Sequence, residues 1–330
     1  MSTLQDKIEK VIEDIGKGRI RGSTEAAEHA LQTLKSIVSK SQSVDKLRDN
    51  VITFIKRTLN ARPTSALLIN SSREILTELK NLLLEGEDLE AVKSRMLSRV
   101  DKVITWARRS TDEAARIASK RILDGEVILT TSFSRSVIKT LEYAVDEGKK
   151  VEVIVTESRP RDDGRRTAAI LSEKDIPVTL IVDSAVRYMM KDVNRVIVGA
   201  EAIAANGALI NKVGTSIVAL VAHEARVRVF VVAGTYKINL ETVFGELVEL
   251  PEAEPSTIIP PEKTAEIGPI KVKAPLYDVT PPEYVDAIVT ERGIFAPQAV
   301  PLIIREIYGS WPPKVPDIKD LILELERWRF

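Results

Sequence analysis

Proline is confined almost entirely to one side of this chain. Of 16 prolines in 330 residues, only Pro63 lies within 1–120; the other 15 follow. Only four of the 15 glycines, Gly16, Gly18, Gly22 and Gly86, share that segment. A stretch so poor in helix breakers, and rich in Leu, Glu, Lys, Arg and Ala, is expected to be helical. Its apolar residues agree: Leu89, Val92, Met96, Val100, Val103 and Ala107 recur at three- and four-residue steps. Short polar breaks near Arg21–Ser23, Lys40–Ser43, Arg62–Thr64 and Gly86 separate the helices. Ser110-Thr-Asp-Glu113 has capping-box spacing and predicts the start of a further helix running to about Ile122.

Beyond Asp124-Gly125 the period changes. Short β-rich runs appear at Val127–Thr131, Val151–Thr156, Val178–Asp183, Val196–Gly199, Val229–Ala233 and Ala287–Thr290, most of them separated by helical stretches. Strands alternating with helices predict βαβ units and a mostly parallel sheet covered on both faces. The expected fold class is therefore α/β: a helical domain over residues 1–122, then an α/β domain over 123–330. The proline-rich stretch from about Glu249 to Pro282 reads as irregular chain packing across the molecule.

Composition narrows the chemistry. Cysteine is absent, which excludes disulfides, thiolate metal sites and cysteine nucleophiles. Two histidines, His29 and His223, both in helical stretches, read as structural and make a histidine metal site or serine–histidine triad a poor fit. No metal and no cofactor is implied. Lys+Arg and Asp+Glu are both 48, so no nucleic-acid footprint is expected. The zero conceals an asymmetry: residues 1–120 hold 22 basic and 17 acidic residues, and residues 121–330 hold 26 and 31. Such an asymmetry fits either a chance difference between two surfaces or complementary packing between domains or subunits. The polar opening Met1–Lys7 and the lack of a long apolar run point to a cytoplasmic protein with no membrane partner. Only 12 residues are Asn or Gln, and charged residues are abundant, a pattern associated with hot environments.

In a doubly wound sheet, ligands bind beyond the carboxyl ends of strands, near helix N-termini. Three segments satisfy that rule. Thr130-Thr-Ser-Phe-Ser134-Arg135 offers hydroxyls and backbone N–H groups at a helix start, suited either to an anion or to ordinary capping by Ser134. Glu157-Ser-Arg159-Pro160 places an arginine at a strand end, free to grip a phosphate or to form a structural ion pair. The neighbouring Arg161-Asp-Asp-Gly-Arg165-Arg166 run reads as a solvated turn. Gly199–Thr215 collects Glu201, Asn211, Lys212 and a helix start, and is the most site-like stretch. Ile217, Leu220 and Val221 are the expected buried face of that helix. Neither a P-loop nor a Gly-x-Gly-x-x-Gly occurs.

Ile20-Arg-Gly22, Ala61-Arg-Pro-Thr64, Ile128–Ser134, Glu157-Ser-Arg-Pro160, Gly199–Thr215, Tyr236-Lys237 and Pro275–Tyr284 with Ile288–Gly293 occur in this order along the chain. Together they resemble the regulatory subunits of translation initiation factor 2B and their relatives, the methylthioribose-1-phosphate and ribose-1,5-bisphosphate isomerases. The resemblance implies a helical domain before a Rossmann-like domain, homodimerisation through the latter, and an interdomain pocket for a sugar phosphate or nucleotide monophosphate. By resemblance Arg21, Gly22, Arg62, Ser134, Arg159, Asn211, Lys212 and Lys237 would line it. The isomerases carry a cysteine and an aspartate for proton shuffling, and the matching positions here are Ser132 and Glu201. A serine hydroxyl is a poor proton carrier without an adjacent base, and Glu201 adds a methylene. The resemblance so read favours a non-catalytic alpha-type regulatory subunit, with initiation factor 2 or its subunits as partner. The alternative is an isomerase of the ribose-1,5-bisphosphate type.

Overall fold

The computed structural model describes residues 3–328; Met1 and Ser2, the first two residues of the polar opening, lie outside them. Five helices come first: α1 (Leu4–Gly16), α2 (Ser23–Lys40), α3 (Val44–Ala61), α4 (Ala66–Glu85) and α5 (Leu89–Ser119). Their ends fall at the polar breaks in the sequence. Ser43, Ser65 and Asp88 accept the backbone N–H of Lys46, Leu68 and Ala91 as N-caps, and Gly86 closes α4 in the left-handed conformation.

The predicted break at Ser110 does not occur: α5 runs unbroken for 31 residues. Its hydroxyls are satisfied elsewhere. Thr111 bonds back to the Ala107 carbonyl at 2.8 Å and meets the Tyr236 hydroxyl at 2.6 Å, while Asp112 turns to Lys139 and Tyr143. The first half of α5 joins the core of the helical layer through Val92, Met96 and Val100. Its second half packs Ala114 and Ala118 against the sheet and the helix that follows.

The remaining elements are β1 (Val127–Thr130), α6 (Arg135–Asp146), β2 (Glu152–Thr156), α7 (Asp163–Ser172), β3 (Val178–Ile181), α8 (Val186–Met189), β4 (Arg195–Val198), β5 (Ala202–Ile203), β6 (Leu209–Lys212), α9 (Thr215–Glu224), β7 (Arg228–Val232), α10 (Pro261–Ile267), β8 (Tyr277–Thr280), β9 (Ala287–Thr290), β10 (Gly293–Phe295), α11 (Val300–Tyr308) and α12 (Ile318–Glu326). All six strand-like runs of the sequence become strands of one parallel sheet, in the order β9-β7-β4-β1-β2-β3, with β10 added antiparallel at the β9 edge. The chain reverses direction between β1 and β4, so the crevice a doubly wound sheet offers a ligand opens there.

Three features depart from the sequence expectations. The stretch from Glu249 to Pro282 is largely irregular, but it ends in β8, which joins β5 and β6 in a small antiparallel sheet. Residues from Asp163 onward form α7, so the expected solvated turn stops at Asp162. In α9 the buried face is Thr215, Val218, Ala219 and Ala222, and Ile217 faces solvent, because Ile203, Leu209 and the strand residues of the main core lie on that other side. Finally, α12 returns to the helical layer, where Ile318, Leu321, Ile322 and Leu325 complete its core against α3 and α4. No described helix is long and apolar enough to cross a membrane.

Candidate functional site

The cleft beyond β1, β4 and β7 is closed from above by the helical layer. Its walls are the start of α2 (Gly22–Glu25), Arg62 beyond α3, Ser132–Ser136 between β1 and α6, Glu201 beyond β4, Asn211 and Lys212 on β6, Lys237 beyond β7, and Asp163. It encloses about 50 Å³, room for only a few water molecules. Most of its charged side chains are satisfied by one another.

Two ion pairs define it. Arg62 donates from Nε and Nη2 to the two carboxylate oxygens of Glu201, both at 2.8 Å, and both side chains are buried. Burial alone would raise the Glu201 carboxyl, but the charge and hydrogen bonds of Arg62, with Lys237 and Lys212 behind it, hold it below its ordinary value. In the second pair Asp163 accepts from Lys212 Nζ at 2.8 Å and faces Arg21 at 3.0 Å. Burial lowers the Lys212 ammonium even so.

Lys237 sits on the turn after β7, 3% exposed, against the Ser23 hydroxyl. Among the described residues no carboxylate is in ion-pair contact with it. Burial brings its ammonium down to about 8, with Glu201 opposing the shift and Arg62 adding to it. Tyr277, across the cleft on β8, is pushed up to about 12 by burial and stays neutral.

Backbone N–H groups supply the rest of the positive potential. Gly22 is the N-cap of the 18-residue α2 at φ 85°, with no side-chain cap, so the first-turn amides are left free of one. A side chain there would also meet the Phe133 ring. Ser134 caps α6 at Val137 N, so the capping reading of this residue holds, and its hydroxyl meets Ser136 at 3.0 Å. Ser132 precedes it at φ 63°, a conformation a non-glycine residue adopts only under constraint. Here the constraint is visible: its N–H donates to Ser158 Oγ at 2.7 Å and its carbonyl accepts from Thr167 at 2.7 Å.

The structure thus brings together Gly22, Arg62, Ser132, Ser134, Glu201, Asn211, Lys212 and Lys237, with Arg21 attached through Asp163. Arg159 is not among the residues lining the cleft; it donates to the Thr257 carbonyl at 2.8 Å. Asn211 spends its amide on Thr215 at 3.2 Å. Both histidines lie exposed on helices, His223 against the Tyr284 ring. Sequence reasoning missed Asp163, Ser23, Thr24 and Tyr277. Asp163 had one signal, an acidic residue before Gly164, whose missing side chain is required because a Cβ there would lie 1.7 Å from the Thr156 carbonyl oxygen.

A helical layer seated on a doubly wound sheet, with a cleft lined by cations and helix N-termini at the sheet's switch point, defines a Rossmann-like α/β protein. Residues 19–297 match the model of the initiation factor 2 subunit family, and the chain belongs to that family. Six curated archaeal relatives, 34–39% identical over 90–94% of this chain, are named ribose 1,5-bisphosphate isomerase. The one from Archaeoglobus fulgidus is 39% identical over 92% of this chain and 94% of its own. The eIF2B alpha subunit of Dictyostelium discoideum is 32% identical over 69% of this chain and 73% of its own. Among solved structures, the Pyrococcus horikoshii translation initiation factor eIF-2B superposes with a TM-score of 0.75 at 25% identity, covering 88% of this chain and 98% of that one.

These relatives overturn the reading of the chain as a non-catalytic regulatory subunit. That reading assumed that proton transfer needs a thiol at position 132 and an aspartate at 201. The cleft also carries a titratable group besides those two positions: Lys237, whose ammonium burial lowers to about 8, while Arg62 holds the Glu201 carboxyl below its ordinary value.

Proposed function

We propose that the protein is a sugar-phosphate aldose–ketose isomerase of the ribose-1,5-bisphosphate type. The observation that carries this reading is the Arg62–Glu201–Lys237 cluster, buried at two helix N-termini, in a chain so similar to proteins named for that activity. In the conversion of ribose 1,5-bisphosphate to ribulose 1,5-bisphosphate, one hydrogen moves from C2 to C1. The C2 hydroxyl loses its proton and the ring oxygen gains one, so atoms balance with no cofactor. The reaction needs one proton acceptor and one donor within reach of the sugar.

Glu201 is ionised at neutral pH and serves as the acceptor at the C2 hydroxyl. Lys237 is still largely an ammonium at pH 7 and serves as the donor to the ring oxygen. Phosphate groups are received at the uncapped start of α2 and at the start of α6, with Lys212 and Arg21 as counter-charges. Because Asp163 occupies both cations, entry of a phosphate replaces this internal partner. Self-association through residues 123–330 accompanies the reading, supported by the exposed Tyr188 and Ile217 on the neighbouring α8 and α9. The test is direct: purified protein is incubated with ribose 1,5-bisphosphate and ribulose 1,5-bisphosphate is measured. Formation of ketose that is lost in Glu201→Gln supports the assignment. No ketose from folded wild-type protein refutes it.

A further inference from the structure

The turn that carries Lys237 packs against α4 on its far side. The turn Thr235–Lys237 presents two carbonyls, those of Tyr236 and Ile238, to α4. Asn70 Nδ2 donates to both, at 3.0 and 2.8 Å. Its Oδ1 accepts from Arg73 Nη1 at 2.9 Å, which fixes the amide so that the NH2 group, not the oxygen, meets the carbonyls. Arg73 lies one turn further along α4, on the same face. It is anchored by the Pro316 carbonyl at 3.0 Å and by Glu241, four residues past Lys237. Thus α4 grips the 236–241 segment at three points: two carbonyls through Asn70 and one carboxylate through Arg73.

We propose that Asn70 is a positioning residue: by clasping the carbonyls on either side of Lys237 it holds that ammonium in the cleft, beside Glu201 and away from solvent. The inference rests on the reading of the cleft as a proton-transfer site. The groups that face the ammonium are Glu201 beyond β4, Arg62 beyond α3 and the Ser23 hydroxyl on α2, with the ring of Tyr236, its neighbour in the same turn, 5.7 Å away. The turn is also tied through the Thr235 N–H to Glu291 at 3.0 Å and the Tyr236 hydroxyl to Thr111 at 2.6 Å, and the Asn70 clasp is the tie that acts on the two carbonyls flanking Lys237. With the clasp removed, the turn loosens, water reaches the ammonium, and its affinity for a proton returns toward that of a free lysine.

The test reads Lys237 itself. Competitive labelling with acetic anhydride between pH 6 and 11, followed by mass spectrometry of the Lys237 peptide, gives the midpoint for that one amine. It is applied to wild type, Asn70→Asp, the milder Asn70→Ser, and Lys80→Ala, which removes an α4 ion pair with Glu324 remote from the turn. Asn70→Asp keeps the volume but loses both donors. The midpoint is expected to rise by about one pH unit or more in Asn70→Asp, less in Asn70→Ser, and not at all in Lys80→Ala. With ribose 1,5-bisphosphate as substrate, kcat should fall about tenfold or more in Asn70→Asp with KM little changed. An unshifted midpoint in folded Asn70→Ser and Asn70→Asp, verified by circular dichroism, overturns the proposal. Because labelling needs no turnover, an inactive wild type would refute the isomerase reading and still leave this result readable.

Discussion

Arg62 and Glu201 lie 139 positions apart and are joined by two parallel hydrogen bonds of 2.8 Å, each side chain less than a tenth exposed. The pair ties the end of α3 to the end of β4, so it joins the helical layer to the sheet as well as supplying the cleft with an ionised carboxylate. A buried ion pair contributes little net stability relative to an apolar pair, but removing one partner strands the other. Arg62→Ala should therefore lower the free energy of unfolding by about 3–5 kcal/mol in urea titrations. The Glu201 carboxyl is depressed in the folded state, so its contribution is complete above the unfolded value of about 4.5 and is lost as pH falls through the folded value. Glu201→Gln should flatten the acid limb of stability below pH 4.5.

Lys237 has the opposite sign. Its folded value of about 8 lies below the ordinary 10.5, so the unfolded chain binds the proton more tightly. Stability attributable to this group rises with pH between about 8 and 10.5 and is lowest below 8. Lys237→Met should raise the melting temperature at pH 7 while lowering affinity for sulfate, a dianion across this range. For wild type, sulfate affinity should be flat below about 8 and weaken above it, since the anion favours the ammonium. Calorimetry across pH 6–10 measures both; a pH-independent affinity would contradict the assignment.

Ser132 lines the cleft in the left-handed conformation, at φ 63°. A thiol titrates near 8.5 and shares a proton far more readily than a serine hydroxyl. Ser132→Cys should raise kcat for ribose 1,5-bisphosphate by about tenfold, whereas Ser132→Ala should cost less than Lys237→Met. Initial rates at pH 7 and 8.5 compare the three.

Gly164 permits the approach of α7 to β2 that delivers Asp163 to the cleft. A Cβ at this position would lie 1.7 Å from the Thr156 carbonyl oxygen, which is backbone and cannot swing aside. Gly164→Ala should destabilise the fold by about 3 kcal/mol and release Arg21 and Lys212 from their shared carboxylate. Thermal denaturation reads the first effect, and tighter sulfate binding, with no internal carboxylate to displace, reads the second.

Much of this architecture was legible because it is local. Helix ends at Ser43, Ser65, Asp88 and Gly86 are set by capping chemistry within four residues, and the six parallel strands by apolar runs between breakers. Errors arose wherever a local signal met a distant partner. Ser110–Glu113 has the letters of a helix start, yet its side chains are claimed by Tyr236, Lys139 and Tyr143. The 161–166 run has the composition of a solvated turn, yet Asp163 is buried between Arg21 and Lys212.

The sequence by itself determined that residues up to about 120 are helical, that a mostly parallel sheet follows, and that no thiol chemistry is available. It also marked Glu201, Asn211 and Lys212 as one chemical neighbourhood, because they lie close along the chain. Only the tertiary structure decided which charges meet. Arg62 reaches Glu201, Asp163 takes Arg21 and Lys212, and Lys237 is left buried with no carboxylate among the described residues in ion-pair contact. Charge state depends on burial and on partners brought from afar, and neither is encoded in the spacing of residues along one segment.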